Sequence, residues 1–285
     1  MQMGADFVLL IACEDRKGIV AAVANSIASQ DCNIVESSQY GDKNTGRFFM
    51  RVAISCTANT TSESFSAAFM SVAAAFQLDW QIHDLRKKLR AMIMVSQGGH
   101  CLNDLLYRTS TSRLPMDVTS IVSNHVNWQR RAEHEGIPFH HLPITPETKL
   151  DQEAKLLAMV EEQQVDLIIL ARYMQVLDEE LCRNFAGKII NIHHSFLPSF
   201  AGAKPYHQAH RRGVKLIGAT CHFVTPDLDE GPIVEQDVIR IDHSDTPEDM
   251  AHLGKDIEKV VLARGLRAVV EDRVLLAGNK TVIFR

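Results

Sequence analysis

Five runs in the last two thirds of the chain, LRAMIMVS, DVTSIVSN, VDLIILA, KIINIH and LIGATCHFV, are apolar without alternation. A strand with one wet face alternates apolar and polar residues, because successive side chains point to opposite sides. A strand that is apolar on both faces must be covered on both, as in a mostly parallel sheet flanked by helices. Segments with helical spacing separate the runs: HCLNDLLYRT, WQRRAEHEG and EAKLLAMVEEQQ. IVEQDVIRI adds a strand, and TPEDMAHLGKDIEKVVLARGLRAVVED a long amphipathic helix with Thr246 as N-cap and Pro247 in its first turn. The expectation for residues 87–285 is an open, mostly parallel α/β sheet.

Residues 1–86 have a different rhythm. DFVLLIAC is a β-type run, and KGIVAAVANSIASQ places Ile19, Val23 and Ile27 at helical spacing. CNIVESSQYG and RFFMRVAISC flank the turn residues GDKNTG and form a hairpin. SESFSAAFMSVAAAF is helical, with Ser62 as its expected N-cap, and LDWQIHDL closes the unit. This βαββαβ order defines a small ferredoxin-like domain. The basic stretch RKKLR (86–90) marks the boundary.

A net charge of −5 gives no support for binding nucleic acid or an anionic membrane. No run approaches the roughly 18 apolar residues of a membrane helix, and the N-terminus lacks the pattern of a signal peptide. Six widely spaced cysteines without a CxxC read as reduced, mostly buried thiols of a cytoplasmic protein, with no zinc knuckle.

Open α/β sheets bind ligands beyond the carboxyl ends of their strands. Four polar segments stand there: VSQGGHC (95–101), ARYMQVL (171–177), NIHHSFLP (191–198) and HFVTPDLDEGP (222–232). Asn191 can donate hydrogen bonds without changing charge, which suits stabilisation of an oxyanion. His193 lies on the same side of an extended chain and can move a proton near neutrality. An asparagine satisfying loop backbone and a histidine fixing a turn are the plainer alternatives. His194 points to the other side and reads as structural, Ser195 and Pro198 as loop formers. No GxSxG is present, which argues against a nucleophile elbow. Asp229 could orient an imidazole; Asp227 competes for that role, and spacing does not separate them. GxGxxG is absent at Gly98–Gly99, so no dinucleotide cofactor is expected. His207 and His210 share a helix face but lack a third ligand, so no metal is expected.

NIHHSFLP, HFVTPDLDEGP and RYMQVL together resemble the folate-dependent formyltransferase-type hydrolases and transferases, over residues 89–285. The resemblance implies a catalytic trio of Asn191, His193 and Asp229 at a 10-formyltetrahydrofolate site. It also implies a pterin pocket lined by Met174, Gln175, Val176 and Leu177, and by Val224, Thr225, Pro226, Asp227 and Leu228. The stretch CEDRKGIVAAVANSIA is similar to ACT domains, which implies amino-acid effector binding at Asp15, Arg16 and Gly18; a plain helix start is the alternative. An ACT domain before a formyltransferase-like domain resembles the deformylase branch of the family. The implied reaction is hydrolysis of 10-formyltetrahydrofolate to formate and tetrahydrofolate, which would supply formate for purine synthesis. GGHCLND stands where glycinamide ribonucleotide transformylases carry a phosphate-binding loop, and its His100, Cys101 and Leu102 replace small polar residues. Water is therefore the expected acceptor, with no cofactor and no metal. A homo-oligomer, a tetramer by resemblance, is expected. The alternatives are a folate-dependent formyltransferase and a non-catalytic amino-acid-sensing ACT protein.

Overall fold

The computed structural model describes residues 4–197 and 205–285. Contacts divide the chain into two compact units: Met1–Lys88 with Glu271–Ala277 and Thr281–Arg285, and Leu89–Val270 with Gly278–Lys280. The expected second domain, 87–285, therefore needs correction at its C-terminal end, where most of the last fifteen residues pack into the first unit.

The first unit runs β1 (Phe7–Glu14), α1 (Ile19–Ser29), β2 (Asn33–Asp42), β3 (Arg47–Ser55), α2 (Ser62–Phe76) and β4 (Asp79–Asp84). Its sheet has the order β2-β3-β1-β4, with β1 antiparallel to both neighbours. Every residue of β1 except Glu14 is buried. Alternation explains why. Leu9, Ile11 and Cys13 meet Ile19, Val23 and Ile27 of α1 and Phe65 and Phe69 of α2. Val8, Leu10 and Ala12 face the other way and meet Phe49, Ala53, Leu275 and Phe284. Phe284→Ala is expected to destabilise this unit by about 3–5 kcal/mol. Denaturant unfolding that shows a loss below 1 kcal/mol would remove Phe284 from that core.

Two local expectations change. The N-cap of α2 is Thr61, which exchanges hydrogen bonds with Ser64 in a capping box, in place of Ser62. Cys32 and Cys56 form a disulfide. They stand one step beyond the Asn33↔Ser55 pair of the β2–β3 ladder, so strand register brings together two cysteines far apart in sequence. The other four cysteines are free and buried.

The second unit begins with β5 (Leu89–Val95), α3 (His100–Ser110), β6 (Met116–Ser123), α4 (Gln129–Glu135), β7 (Phe139–His141) and α5 (Lys149–Glu162). It continues with β8 (Leu167–Leu170), α6 (Glu179–Asn184), β9 (Ile189–His193), α7 (Pro205–Arg212), β10 (Leu216–Phe223), β11 (Ile233–Arg240) and α8 (Pro247–Val270). Thr246 and Asp249 exchange hydrogen bonds at the start of α8. The sheet order is β11-β10-β9-β8-β5-β6-β7. Strands β5 to β9 are parallel, whereas β10 is antiparallel to both β9 and β11. Strand order reverses between β5 and β8, and the segments after β5, β8 and β9 flank that point. The chain ends in the hairpin β12 (Val274–Ala277) and β13 (Lys280–Ile283). Among the described residues no helix is long and apolar enough to cross a membrane.

Candidate active site

Asn191 is the third residue of β9 and His193 its last. Antiparallel β10 places His222 directly opposite Asn191. His222 is 2% exposed, and its Nδ1 lies 2.9 Å from the Phe223 carbonyl. A carbonyl can only accept, so Nδ1 carries the proton and Nε2 is the acceptor. Nε2 lies 3.1 Å from Asn191 Nδ2 and takes one of its N–H bonds. The amide is thereby held with its second N–H uncommitted to His222. Burial pushes His222 below the ordinary imidazole range, against the bond to the Phe223 carbonyl and the Asp229 charge, so it stays neutral in this role.

Asp229 arrives from the loop after β10. The loop is pinched shut by the Phe223 N–H bond to the Pro232 carbonyl at 2.9 Å. Gly231 is required there, because a Cβ would fall 1.7 Å from the Phe223 oxygen. Asp229 itself sits at φ 58°, a left-handed conformation uncommon for a side-chain-bearing residue. Its Oδ1 is 3.1 Å from His193 Nδ1 and 3.8 Å from His222 Nε2. The His193 hydrogen bond comes first among the effects that hold the carboxyl below its usual range, against the burial that would raise it. Asp227 is exposed in the same loop, where its carbonyl accepts from Thr225 Oγ1. The geometry separates the two acids that spacing left open: Asp229 reaches His193.

His194 departs from its expected orientation. The strand ends at His193, so side-chain alternation stops there, and the two rings stack with centroids 4.8 Å apart. Burial, Arg172 and His193 depress His194 to about 4. Between the ordinary imidazole value near 6.5 and about 4, the unfolded chain binds a proton there and the folded chain does not. Stability is therefore lost as pH falls through that window, on the order of 2–3 kcal/mol from this group. His194→Gln is expected to flatten the acid side of a stability–pH curve; an unchanged curve would contradict the assignment.

Buried Thr220 anchors the loop that follows. Its hydroxyl donates to the Ser195 carbonyl at 2.9 Å and accepts from Leu197 N at 3.1 Å and Gln236 Nε2 at 2.9 Å. Pro198 lies outside the described residues.

The Met174–Leu177 segment follows β8 through Arg172, which turns the chain at φ 66°. Ser96, at the end of β5, clamps that turn. Its N–H donates to the Arg172 carbonyl at 3.1 Å, and its hydroxyl accepts from Met174 N at 2.9 Å. Leu177 and Val224, one from each segment expected at the pterin, pack against the same apolar cluster. Met174, Val176 and Leu228 are exposed. A cavity of about 10 Å³ is lined in part by Gln175, Val176 and Leu177. Gly99 lies under Trp128, where a Cβ would fall 2.1 Å from the indole, so close packing explains that glycine.

Among the described residues one group could hold a metal ion: His100, Cys101 and Glu258, with ligand atoms within 4.8 Å of one another. The Arg172 guanidinium already lies 3.4 Å from Glu258 Oε2, where it competes with any cation. His207 and His210 are exposed on α7 and outside that group.

In the first unit, Asp15, Arg16 and Gly18 form the turn from β1 into α1. Gly18 has φ 95° and caps α1 without a side-chain bond. Arg16 reaches the end of α2, donating to the Phe76 carbonyl and to Gln77 Oε1.

No motif or spacing in the sequence singles out His222, Thr220, Ser96 or Glu258. Each sits inside or next to an apolar run. For Thr220 and His222 in β10, a polar residue in a strand that should be covered on both faces is the sign; Ser96 lies just past β5, and Glu258 lies on α8 with no such sign.

The fold and this strand-end constellation define a formyl transferase domain, and a family model described as formyl transferase matches residues 89–266. A formyltetrahydrofolate deformylase of Corynebacterium sp. strain P-1 is 45% identical over 279 residues, 98% of each chain. The crystal structure of a formyltetrahydrofolate deformylase from Pseudomonas syringae superposes with a TM-score of 0.96 at 50% identity, covering 99% of this chain and 95% of that one. A glycinamide ribonucleotide transformylase from Symbiobacterium toebii matches at a TM-score of 0.65 and 30% identity, covering 70% of this chain and 95% of its own. The chain belongs to the formyltetrahydrofolate deformylase family.

Proposed function

We propose that this enzyme hydrolyses 10-formyltetrahydrofolate to formate and tetrahydrofolate. The observation that carries the reading is the Asp229–His193 contact beside an Asn191 amide whose orientation His222 fixes. A carboxylate can only accept from Nδ1 of His193, which leaves Nε2 as the free base. Water adds to the formyl carbon as Nε2 takes its proton. The free N–H of Asn191 donates to the oxyanion that forms on the formyl oxygen. The imidazolium, stabilised by Asp229, returns the proton to N10 as the C–N10 bond breaks, and the formic acid released gives up its remaining proton to solvent as formate. The chemistry needs no metal and no cofactor. Met174–Leu177 and Val224–Leu228 hold the pterin, largely through backbone groups.

Incubation with 10-formyltetrahydrofolate alone, followed by formate measurement, tests the reading. Formate release that is unaffected by glycinamide ribonucleotide supports it. Turnover that requires that amine would make the protein a transferase, and loss with a chelator restored by zinc would make it a metallohydrolase.

For the first unit we propose an ACT-type role, with an amino acid bound near Asp15, Arg16 and Gly18 and the chain assembled as a tetramer in the cytoplasm. The βαββαβ order and the open Gly18 turn support it. Calorimetric titration with amino acids and a sizing measurement test the two parts separately.

A further inference from the structure

Glu258 is 2% exposed, yet nothing in the proposed chemistry uses it. A buried carboxylate persists only when it is paired and hydrogen-bonded. Three elements meet it. His100 Nε2, at the start of α3 beyond the end of β5, lies 2.7 Å from Oε2. Arg172 Nε, beyond the end of β8, lies 3.4 Å from the same oxygen. Tyr206 of α7 donates to Oε1 at 3.3 Å. Gly254, one turn earlier on α8, makes room for that phenol, since a Cβ would fall 1.9 Å from its hydroxyl oxygen.

This cluster adjoins the reacting residues. Leu170 pairs with Asn191 in the parallel β8–β9 ladder, so Arg172 and His193 each lie two residues beyond that pair, and the His194 ring stacks on His193. We propose that Glu258 is a positioning residue of the reaction, whose carboxylate neutralises Arg172 beside the His194–His193 stack and ties the ends of β5 and β8 together there. The inference rests on His193 being the proton-handling group. An imidazolium must form at His193 during turnover, and an uncompensated guanidinium nearby would oppose it.

Other ionisable groups around Glu258 do not substitute for it. Cys101 and Asp104 lie on α3, and burial raises the Cys101 thiol well above its ordinary value, so it stays neutral. Asp256 and Lys259 on α8 pair with each other at 2.7 Å. On β10 and β11, Cys221 and Glu235 meet the same helix further along, at Gly265. Asp229 lies 3.1 Å from His193 and 3.8 Å from His222, so its charge is committed to those imidazoles.

The test is the pH profile of kcat/KM for formate release. Glu258→Gln removes the anion and keeps the shape. It is expected to lower kcat/KM about tenfold or more and to move the acid limb to lower pH by roughly half to one unit. Glu258→Asp, which keeps the charge, is expected to restore the limb even if the rate remains low. Arg172→Gln removes the cation and is expected to move the limb upward, and it serves if Glu258→Gln does not fold. The double variant is expected to bring the limb back towards the wild-type position. An unmoved limb in both single variants, or equal shifts for Glu258→Gln and Glu258→Asp, would overturn the proposal. A His193→Ala enzyme that keeps its acid limb would instead overturn the assignment of His193.

Discussion

Asn191→Ala is expected to yield a folded enzyme whose kcat for formate release is reduced about 100–1,000-fold, with KM little changed. The amide is aimed, not merely present. His222 takes one of its N–H bonds at 3.1 Å, and the Nδ1 bond to the Phe223 carbonyl forces His222 to accept at Nε2. The other N–H is therefore preorganised for charge that develops only in the transition state, so kcat carries the loss. The substitution also leaves a buried acceptor on His222 without its donor, at a cost of about 1–3 kcal/mol in stability. Rates should be compared well below the unfolding transition. A kcat within tenfold of wild type would remove Asn191 from the chemistry.

Asp229→Ala is expected to lower kcat/KM roughly 100–10,000-fold. His193 would lose both the acceptor that fixes its tautomer and the charge that stabilises its protonated form. Alanine is also strained at φ 58°, so the better variant is Asp229→Asn, a residue that tolerates left-handed backbone. Asparagine keeps shape and loop conformation but loses the anion, and the activity is expected to stay low. Near-normal turnover in the asparagine variant would show that Asp229 shapes the loop and nothing more. Because the carboxyl is held below its usual range, its own protonation lies too far on the acid side to set a limb near neutrality.

Much of the second unit was legible because its strands are covered on both faces. A run such as VDLIILA admits few alternatives, and the polar residues that end such runs include the reactive ones. The antiparallel course of β10 was not legible, since an apolar strand reads the same in either direction. That course puts His222 opposite Asn191, so the residue that aims the amide became visible only with the register. Asp227 and Asp229 could not be ranked by spacing, because the choice depends on the left-handed turn at Asp229. The Cys32–Cys56 pair was hidden for a related reason: ladder register joins them, with no local spacing motif. In the first unit, DFVLLIAC is apolar on both faces and demanded a second cover. The sequence offered no indication that Leu275 and Phe284 supply it.

That cover has a consequence for how the protein is made. Domains emerging from the ribosome usually fold in order, the N-terminal one first. Here the first unit lacks Leu275 and Phe284 until the second unit has been synthesised. The nascent chain must carry the uncovered face of Val8, Leu10 and Ala12 while the whole second unit is translated. The same geometry governs dissection. A fragment ending at Lys88 keeps the sheet but loses one wall of its core, so a faithful excision of this unit must rejoin the last fifteen residues to the first eighty-eight.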